Sequence, residues 1–279
     1  MNAEIRAYLR RIGLDAENNL SHKLGHKLSR LQEQHLKTVP YENLDIMRGV
    51  PISLKTSDLF DKIVSRRRGG FCFELNGLFA WLLRGLGYKV KEHQARYMRH
   101  KDKIPMRKHR ILTVESGEKK YVCDVGMGSV TPMTPLPLVF GQVTRQEAGS
   151  YKFEKEPNLG NVLYEWAKGD YWRRVYSFTD ESQLDIDFVM PSFYCEMHPD
   201  SPFRQMDMVH MFAENGRKTV AGREVRIYTP KGVEVIVPGT EKMYKELLLR
   251  HFGLDIGGHT TMHLVGHFAT QSAQSVHFS

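Results

Sequence analysis

Three side chains of this sequence have the types and settings for nucleophilic chemistry: Cys72, His109 and Asp124. A thiol becomes a good nucleophile when its thiolate is stabilised, and the free N–H groups and positive end of a helix do this at a first-turn position. Cys72 has that address. Leu75, Leu78, Phe79, Leu82, Leu83 and Leu86 recur at three- and four-residue steps, which predicts a helix that starts at the cysteine and exits at Gly85 and Gly87. Gly69 and Gly70 allow a sharp entry into that helix and a close approach of substrate to the backbone. A nucleophilic cysteine also needs an imidazole within reach, and the imidazole needs an acceptor on its other nitrogen. A two-residue turn at Ser116-Gly117, flanked by Glu115 and Glu118, pairs residues whose numbers sum to 233. His109 and Asp124 then face each other across the hairpin, their Cβ atoms about 5 Å apart. Taken singly, each residue has a bland reading. Cys72 between Phe71 and Phe73 is a small core residue, His109 a solvated member of a basic strand, Asp124 a strand-end charge. Together they point to cysteine chemistry without choosing among acyl transfer, transglutaminase-like reactions and papain-like hydrolysis.

After Asp124 the chain runs Val125-Gly126-Met127-Gly128-Ser129, a glycine-flanked strand end that can offer backbone N–H groups to an anion. The basic segment from Arg99 to Arg110, which includes Lys103 and Lys108, lies close by in sequence and favours a phosphate-bearing ligand. A second cluster, His259, His263 and His267, has the four-residue spacing of metal ligands on a helix. Gly257, Gly258 and Gly266 weaken a helix there, Thr260 and Thr261 favour extended chain, and no H-E-x-x-H glutamate accompanies them, so no metal is expected.

The elements that must position these groups follow from periodicity. Ile5, Tyr8, Leu9 and Ile12 share a helix face between a cap at Asn2 and a stop at Gly13. Leu24, Leu28, Leu31 and His35 continue in a second helix ended by Pro40, and Leu59, Phe60, Ile63 and Val64 in a third from about Ser57. Beyond Gly87 the period changes to alternation, with strands from Tyr88, from His109 through Val114 and from Lys120 through Val125, and aromatic-rich strands at 162–166 and 172–178. A hairpin over 223–237 and a helix over 240–251 make the last third mixed. The expected fold is α+β in three parts: a helical bundle over 1–87 carrying the cysteine, a β-barrel over 88–187 carrying the His/Asp pair, and an α/β lid over 188–279.

The chain has 279 residues, 41% of them hydrophobic, enough for a substantial core. Its three cysteines, Cys72, Cys123 and Cys195, form neither a disulfide framework nor a C-x-x-C zinc pair. With no membrane-length apolar run and no apolar centre behind Met1, a cytoplasmic protein without a membrane partner is expected. The net charge of +8 suits a small polyanionic ligand as well as nucleic acid, but aromatic residues are not interleaved with the basic clusters as a stacking surface requires. Nucleic acid is therefore not expected as a partner.

Arg68-Gly69-Gly70-Phe71-Cys72-Phe73-Glu74-Leu75-Asn76 resembles the R-G-G-x-C-x-E-x-N signature of the arylamine N-acetyltransferase family. Other segments agree in order and spacing. His35 through Pro40-Tyr41-Glu42-Asn43-Leu44-Asp45 resembles the family's H-x-x-x-x-P-F-E-N-L-D element, Lys108-His109-Arg110-Ile111-Leu112 its histidine strand, and Asp124-Val125-Gly126-Met127-Gly128 its D-V-G-F-G turn. Pro135-Leu136-Pro137-Leu138 resembles the stretch that follows. The resemblance implies a ping-pong transfer: Cys72 takes acetyl from acetyl-CoA, and an aromatic amine, arylhydrazine or hydrazine takes it from the thioester. His109 and Asp124 would complete a Cys-His-Asp triad. It further implies coenzyme contacts at Gly126, Gly128, Ser129 and Lys108, and an acceptor pocket of Tyr41, Phe71, Met127 and Phe203, in a monomer or weak homodimer. Tyr41 and Met127 stand where the family has phenylalanine, and methionine lacks a ring face for an arylamine.

Overall fold

A computed structural model describes residues 2–14, 24–99, 101–147, 149–167 and 169–257. Helix α1 (Ala3–Arg11) starts where Asn2 Oδ1 accepts the Ile5 N–H at 2.8 Å, with Glu4 in its first turn and Arg10 and Arg11 in its last, matching the helix dipole. It buries Ile5, Tyr8 and Leu9. Helix α2 (Leu24–Thr38) stops just before Pro40, whose ring has no N–H to continue it. Strand β1 (Tyr41–Glu42), the single turn α3 (Leu44–Met47) and α4 (Thr56–Phe60), which runs into a π-type turn over Asp61–Ser65, lead to α5 (Cys72–Gly85). Helix α5 is buried on most of its surface and is the centre of the helical region. At its end a Cβ on Gly85 would lie 2.4 Å from Ile5 Cδ1, so the glycine lets α1 pack directly on it.

Eight antiparallel strands form a nearly closed barrel: β2 (Lys89–Tyr97), β3 (His109–Ser116), β4 (Lys119–Cys123), β5 (Leu136–Pro137), β6 (Thr144–Gln146), β7 (Gly149–Glu156), β8 (Gly160–Ala167) and β9 (Tyr171–Phe178). Their order is β5-β4-β3-β2-β9-β8-β7-β6. Strand β3 is buried on both faces because it serves two cores. Ile111 joins Val122, Leu163, Tyr176 and Phe178 in the barrel, while Leu112 and Val114 pack with the helical core around Leu75, Leu78 and Phe79.

The β3–β4 hairpin corrects the expected register. Leu112 pairs with Cys123 and Ser116 with Lys119, so the turn is Gly117-Glu118 and paired numbers sum to 235. Gly117 takes the first central position at φ +64°, where a II′ turn demands a positive angle. His109 and Asp124 are therefore diagonal rather than directly opposite. A two-residue shift leaves every side chain on its original face, so the pair survives the change.

After β9 the chain forms α6 (Val189–Met197) and a second antiparallel sheet. The sheet contains β10 (Met208–Ala213), β11 (Gly216–Ala221), β12 (Glu224–Thr229) and β13 (Gly232–Ile236). Its order is β1-β10-β11-β12-β13, so the two-residue strand β1 from the helical region forms one edge. Helix α7 (Glu241–Phe252), capped by Thr240 and ended by Gly253 at φ +67°, buries Tyr244, Leu247, Leu248 and Phe252 with Val209, Val220 and Val225. The overall class is α+β, a helical region followed by the barrel and a mixed C-terminal part. Among the described residues no helix is long and apolar enough to cross a membrane.

Candidate active site

The loop before Cys72 is clamped by backbone and by charge. Glu42 N donates to Gly70 O at 2.8 Å and Gly70 N to Pro40 O at 3.3 Å. A Cβ on Gly69 would lie 2.0 Å from Pro40 O, and one on Gly70 2.7 Å from Glu74 Oε2, so only glycine fits either position. Beneath the loop, Arg68 donates to Glu42 and Asp45 at 2.8 Å each, and Lys62 reaches Asp45 and Glu74 at 2.7 Å each. Glu74 in turn accepts the Phe71 N–H at 3.1 Å, capping the start of α5. Burial pushes the Glu74 carboxyl up, and the Lys62 ammonium opposes that shift.

On the barrel side, His109 Nε2 and Asp124 Oδ2 are 2.6 Å apart, both buried. Asp124 Oδ1 also accepts from Asn76 Nδ2 at 2.9 Å and from the Gly126 N–H at 2.8 Å. A carboxylate in that position assigns the Nε2 proton to His109 and leaves Nδ1 as the basic nitrogen. The Tyr176 ring lies 5.9 Å from the His109 ring and walls it from the barrel interior. Asn76 donates also to Arg110 O at 2.6 Å and accepts the Val125 N–H at 2.9 Å, so one side chain of α5 ties β3 to the segment after β4. Gln32 of α2 accepts the Asp124 N–H at 3.2 Å and donates to Pro132 O at 2.8 Å.

Cys72 is the first residue of α5 and is buried. Burial pushes its thiol well above the ordinary value, and nearby Cys195 and Asp124 add to the rise. The nearby backbone N–H groups of Arg110 and Phe73 act in the opposite direction. The Arg110 amide follows His109 directly in the chain, so the sulfur meets β3 at the residue next to the imidazole. Burial also raises Cys195, up to about 12, and Cys123, for which no opposing donor acts. A lowered thiol is therefore not a property of the helix start alone: a thiolate at Cys72 needs a cation formed beside it.

The remaining expected residues fall into three settings. Phe71 and Phe203 meet at 5.6 Å between ring centres, and Tyr41 and Phe203 pack on the cluster that contains Phe71, Cys72, Phe188 and Cys195. Met127 belongs instead to the barrel core. Gly126 packs against the backbone of Cys72, since a Cβ there would lie 2.6 Å from Cys72 Cα, and its N–H is taken by Asp124. Gly128, at φ +65°, opens the turn Gly128–Val130 beside the Tyr41 ring, Ser129 is exposed, and Lys108 Nζ lies 5.2 Å above the Tyr194 ring.

Sequence reasoning gave no role to Asn76, Gln32, Arg110 or Tyr176. Asn76 was within reach of it: four residues beyond Cys72, it lies one turn along the same helix face. Arg110 is a buried cation that donates to Glu92 at 2.6 Å and Asp185 at 3.0 Å and lies 4.1 Å over the Phe188 ring. Gly77 makes room for it, because a Cβ there would sit 2.7 Å from Arg110 Nη1. Among the described residues no group of three His, Cys, Asp or Glu could hold a metal, and His259, His263 and His267 lie outside them.

A helical base, a nearly closed barrel and a helix-start cysteine beside a His/Asp-bearing strand define an α+β architecture with the parts of a thiol acyltransferase. A family model described as N-acetyltransferase matches residues 26–261. An arylamine N-acetyltransferase of Mycolicibacterium smegmatis is 31% identical over 92% of this chain and 94% of its own length. The solved arylamine N-acetyltransferase of Salmonella typhimurium superposes with a TM-score of 0.86 at 28% identity, covering 93% of this chain and 94% of that one. The Mycobacterium marinum enzyme, solved in complex with CoA, gives 0.81 at 30% identity, with 90% and 93% covered. The chain belongs to the arylamine N-acetyltransferase family, and is thereby an acyltransferase with acetyl-CoA as donor.

Proposed function

We propose that this enzyme acetylates arylamines, arylhydrazines and hydrazines in two half-reactions through an acetyl thioester on Cys72. Burial disfavours a lone thiolate, so the reactive state is a pair: the Cys72 proton moves to His109 Nδ1, and Asp124 holds the imidazolium that results. The thiolate attacks the acetyl carbonyl, the carbon–sulfur bond to the coenzyme breaks, and His109 returns its proton to the departing CoA sulfur. In the second half the amine nitrogen attacks the thioester, its proton passes through His109, and Cys72 leaves as the thiol. The observation that carries this reading is the 2.6 Å His109–Asp124 contact, formed on the strand whose Arg110 backbone lies near the Cys72 sulfur.

Tyr41, Phe71 and Phe203 supply the aromatic walls of the acceptor pocket, supported by their packing around Cys72. Met127, packed in the barrel core rather than on these rings, leaves the pocket without a fourth aromatic wall. Gly128, Ser129 and Lys108 receive the coenzyme, with the Gly126-Met127-Gly128 turn as their support; the CoA complex of the Mycobacterium marinum relative supports a coenzyme site in this fold. Intact-protein mass after brief exposure to acetyl-CoA without acceptor tests the scheme. One acetyl group is expected, located on Cys72 and absent from Cys72→Ala. No adduct, or an adduct retained in that variant, refutes it.

A further inference from the structure

The Tyr41 side chain brings a free hydroxyl to the wall of the site. Among the described residues that hydroxyl has no hydrogen-bond partner, and unlike the unpartnered ring nitrogens of His35 and His210 it is not sealed from solvent. Its placement is fixed from three sides. The Tyr41 backbone bridges to Gly70, two residues before Cys72, and pairs with His210 of β10. The ring packs on the cluster that contains Phe71, Cys72, Phe188 and Cys195. It also meets the turn after Asp124: a Cβ on Gly128 would lie 3.5 Å from Tyr41 Cδ1, while one on Gly126 would lie 2.6 Å from Cys72 Cα. One short turn thus touches the cysteine at one end and the tyrosine at the other.

Other phenols nearby have different company, Tyr176 with Asp124 and Cys123, and Tyr97 with Arg99 and Glu165. Burial pushes the Tyr41 phenol well above its ordinary value, and negative charge on Cys72, Cys195, Tyr97 or Asp124 pushes it further, Cys72 having the largest effect of the four. The phenol therefore keeps its proton when the cysteine is a thiolate, and stays a donor.

We infer that the Tyr41 hydroxyl is a catalytic group, the donor that stabilises negative charge on the acetyl oxygen in both half-reactions; the inference rests on the acetyl-Cys72 reading. When the Cys72 thiolate bonds to the acetyl carbon, the carbonyl π pair moves onto oxygen. It returns as the carbon–sulfur bond to the coenzyme breaks. The amine half repeats the cycle, with the bond to Cys72 as the one that breaks. Tyr41 keeps its proton throughout and supplies a hydrogen bond of about 3 Å that is strongest while the oxygen is charged. The backbone N–H groups of Arg110 and Phe73 favour charge on the resting sulfur, whereas the charge of the intermediate sits on an oxygen displaced from it. A donor left free at rest breaks no existing bond to serve that oxygen. Phenylalanine, which the family pattern has at this position, carries no such proton, so the contact is an addition to that pattern and acts on rate.

Tyr41→Phe removes the hydroxyl and keeps the ring. Rapid-quench mass spectrometry with acetyl-CoA should show Cys72 acetylation slowed about a hundredfold, as loss of one oxyanion donor does. KM for acetyl-CoA should change little, because the contact strengthens only as charge develops. Isotope-edited infrared spectra of the acetyl-enzyme supply a readout that a packing role would not move: the thioester carbonyl band should lie at lower frequency in the parent than in Tyr41→Phe. Thermal unfolding of the two proteins should coincide. A parent that forms no acetyl-Cys72 overturns the thioester reading and this inference together. A parent that forms it, beside a Tyr41→Phe variant that is equally fast or has the same carbonyl band, overturns the role of Tyr41 alone.

Discussion

Two regions hold Cys72 in place, and they do it by opposite means. Beneath the α5 start, Lys62, Arg68, Glu42, Asp45 and Glu74 form a buried network of full charges in which two cations bridge three carboxylates, each carboxylate touching a cation at 2.7 to 2.8 Å. On the barrel side, Asp124 is held by an amide side chain, a backbone N–H and the imidazole, all neutral donors. A carboxylate held by neutral groups keeps its charge available for an imidazolium that comes and goes. A carboxylate matched to a fixed cation has none to spare. In the proposed mechanism the first region fixes geometry and the second supports chemistry, and substitutions should separate the two roles.

The largest effect is expected from Asp124→Asn, which keeps the shape of the site and removes the charge. Acetylation of Cys72 should fall by about four orders of magnitude, with the melting temperature little changed; rapid-quench mass spectrometry against thermal unfolding reads both. Lys62→Met should show the reverse weighting. It strands Glu74 without its cation, leaves Asp45 to Arg68 alone, and is expected to cost about 3–5 kcal/mol of stability, measured by urea unfolding. Adding Glu74→Gln should recover part of that loss. Equal losses of activity in Asp124→Asn and Lys62→Met, at equal stability, would erase the contrast.

Asn76→Ala sits between the regions. It deprives the Asp124 carboxylate and the Arg110 carbonyl of one donor and should lower kcat by about tenfold to a hundredfold, with a stability loss of about 1–3 kcal/mol. The smallest effect at neutral pH is that of two buried histidines, whose contribution appears only as pH falls. Burial lowers the folded-state pKa of His35 and of His210 to about 3, so both rings stay neutral in the native chain while the unfolded chain protonates them near the usual 6.5. The unfolded state then binds more protons below that value. Stability is fully present above about pH 6.5 and falls as pH drops toward 3, by about 1.4 kcal/mol per pH unit for each ring. His35→Gln should flatten this slope in unfolding measurements from pH 6.5 downward and leave the high-pH plateau shape alone; an unchanged slope would refute the assignment.

The elements around the cysteine were legible because local rules decide them: a glycine pair, an apolar helical period, a glycine exit. The His/Asp pairing was legible only up to its face. Which two residues form the Gly117 turn depends on the backbone angle the glycine adopts, and the sequence shows the glycine without the angle. Strand β7 hides Tyr151 and Phe153 among lysines and glutamates, and α6 carries Pro191 in its first turn, where it is tolerated but masks the helical pattern. The strand amide near the Cys72 sulfur belongs to Arg110, a proximity that no spacing rule spans. The charge network was likewise out of reach, since Lys62 and Asp45 belong to no local motif that pairs them.

Strand β1 has only two residues, but Tyr41 bridges to Gly70 on one side and pairs with His210 on the other. The backbone that leads into Cys72 therefore gains its outer neighbour only when residues 208–213 exist to supply it. During synthesis from the N-terminus, a nascent chain that already contains Cys72, His109 and Asp124 still lacks that support. The Cys72 thiol reaches its finished setting late, after about three-quarters of the polypeptide has been made.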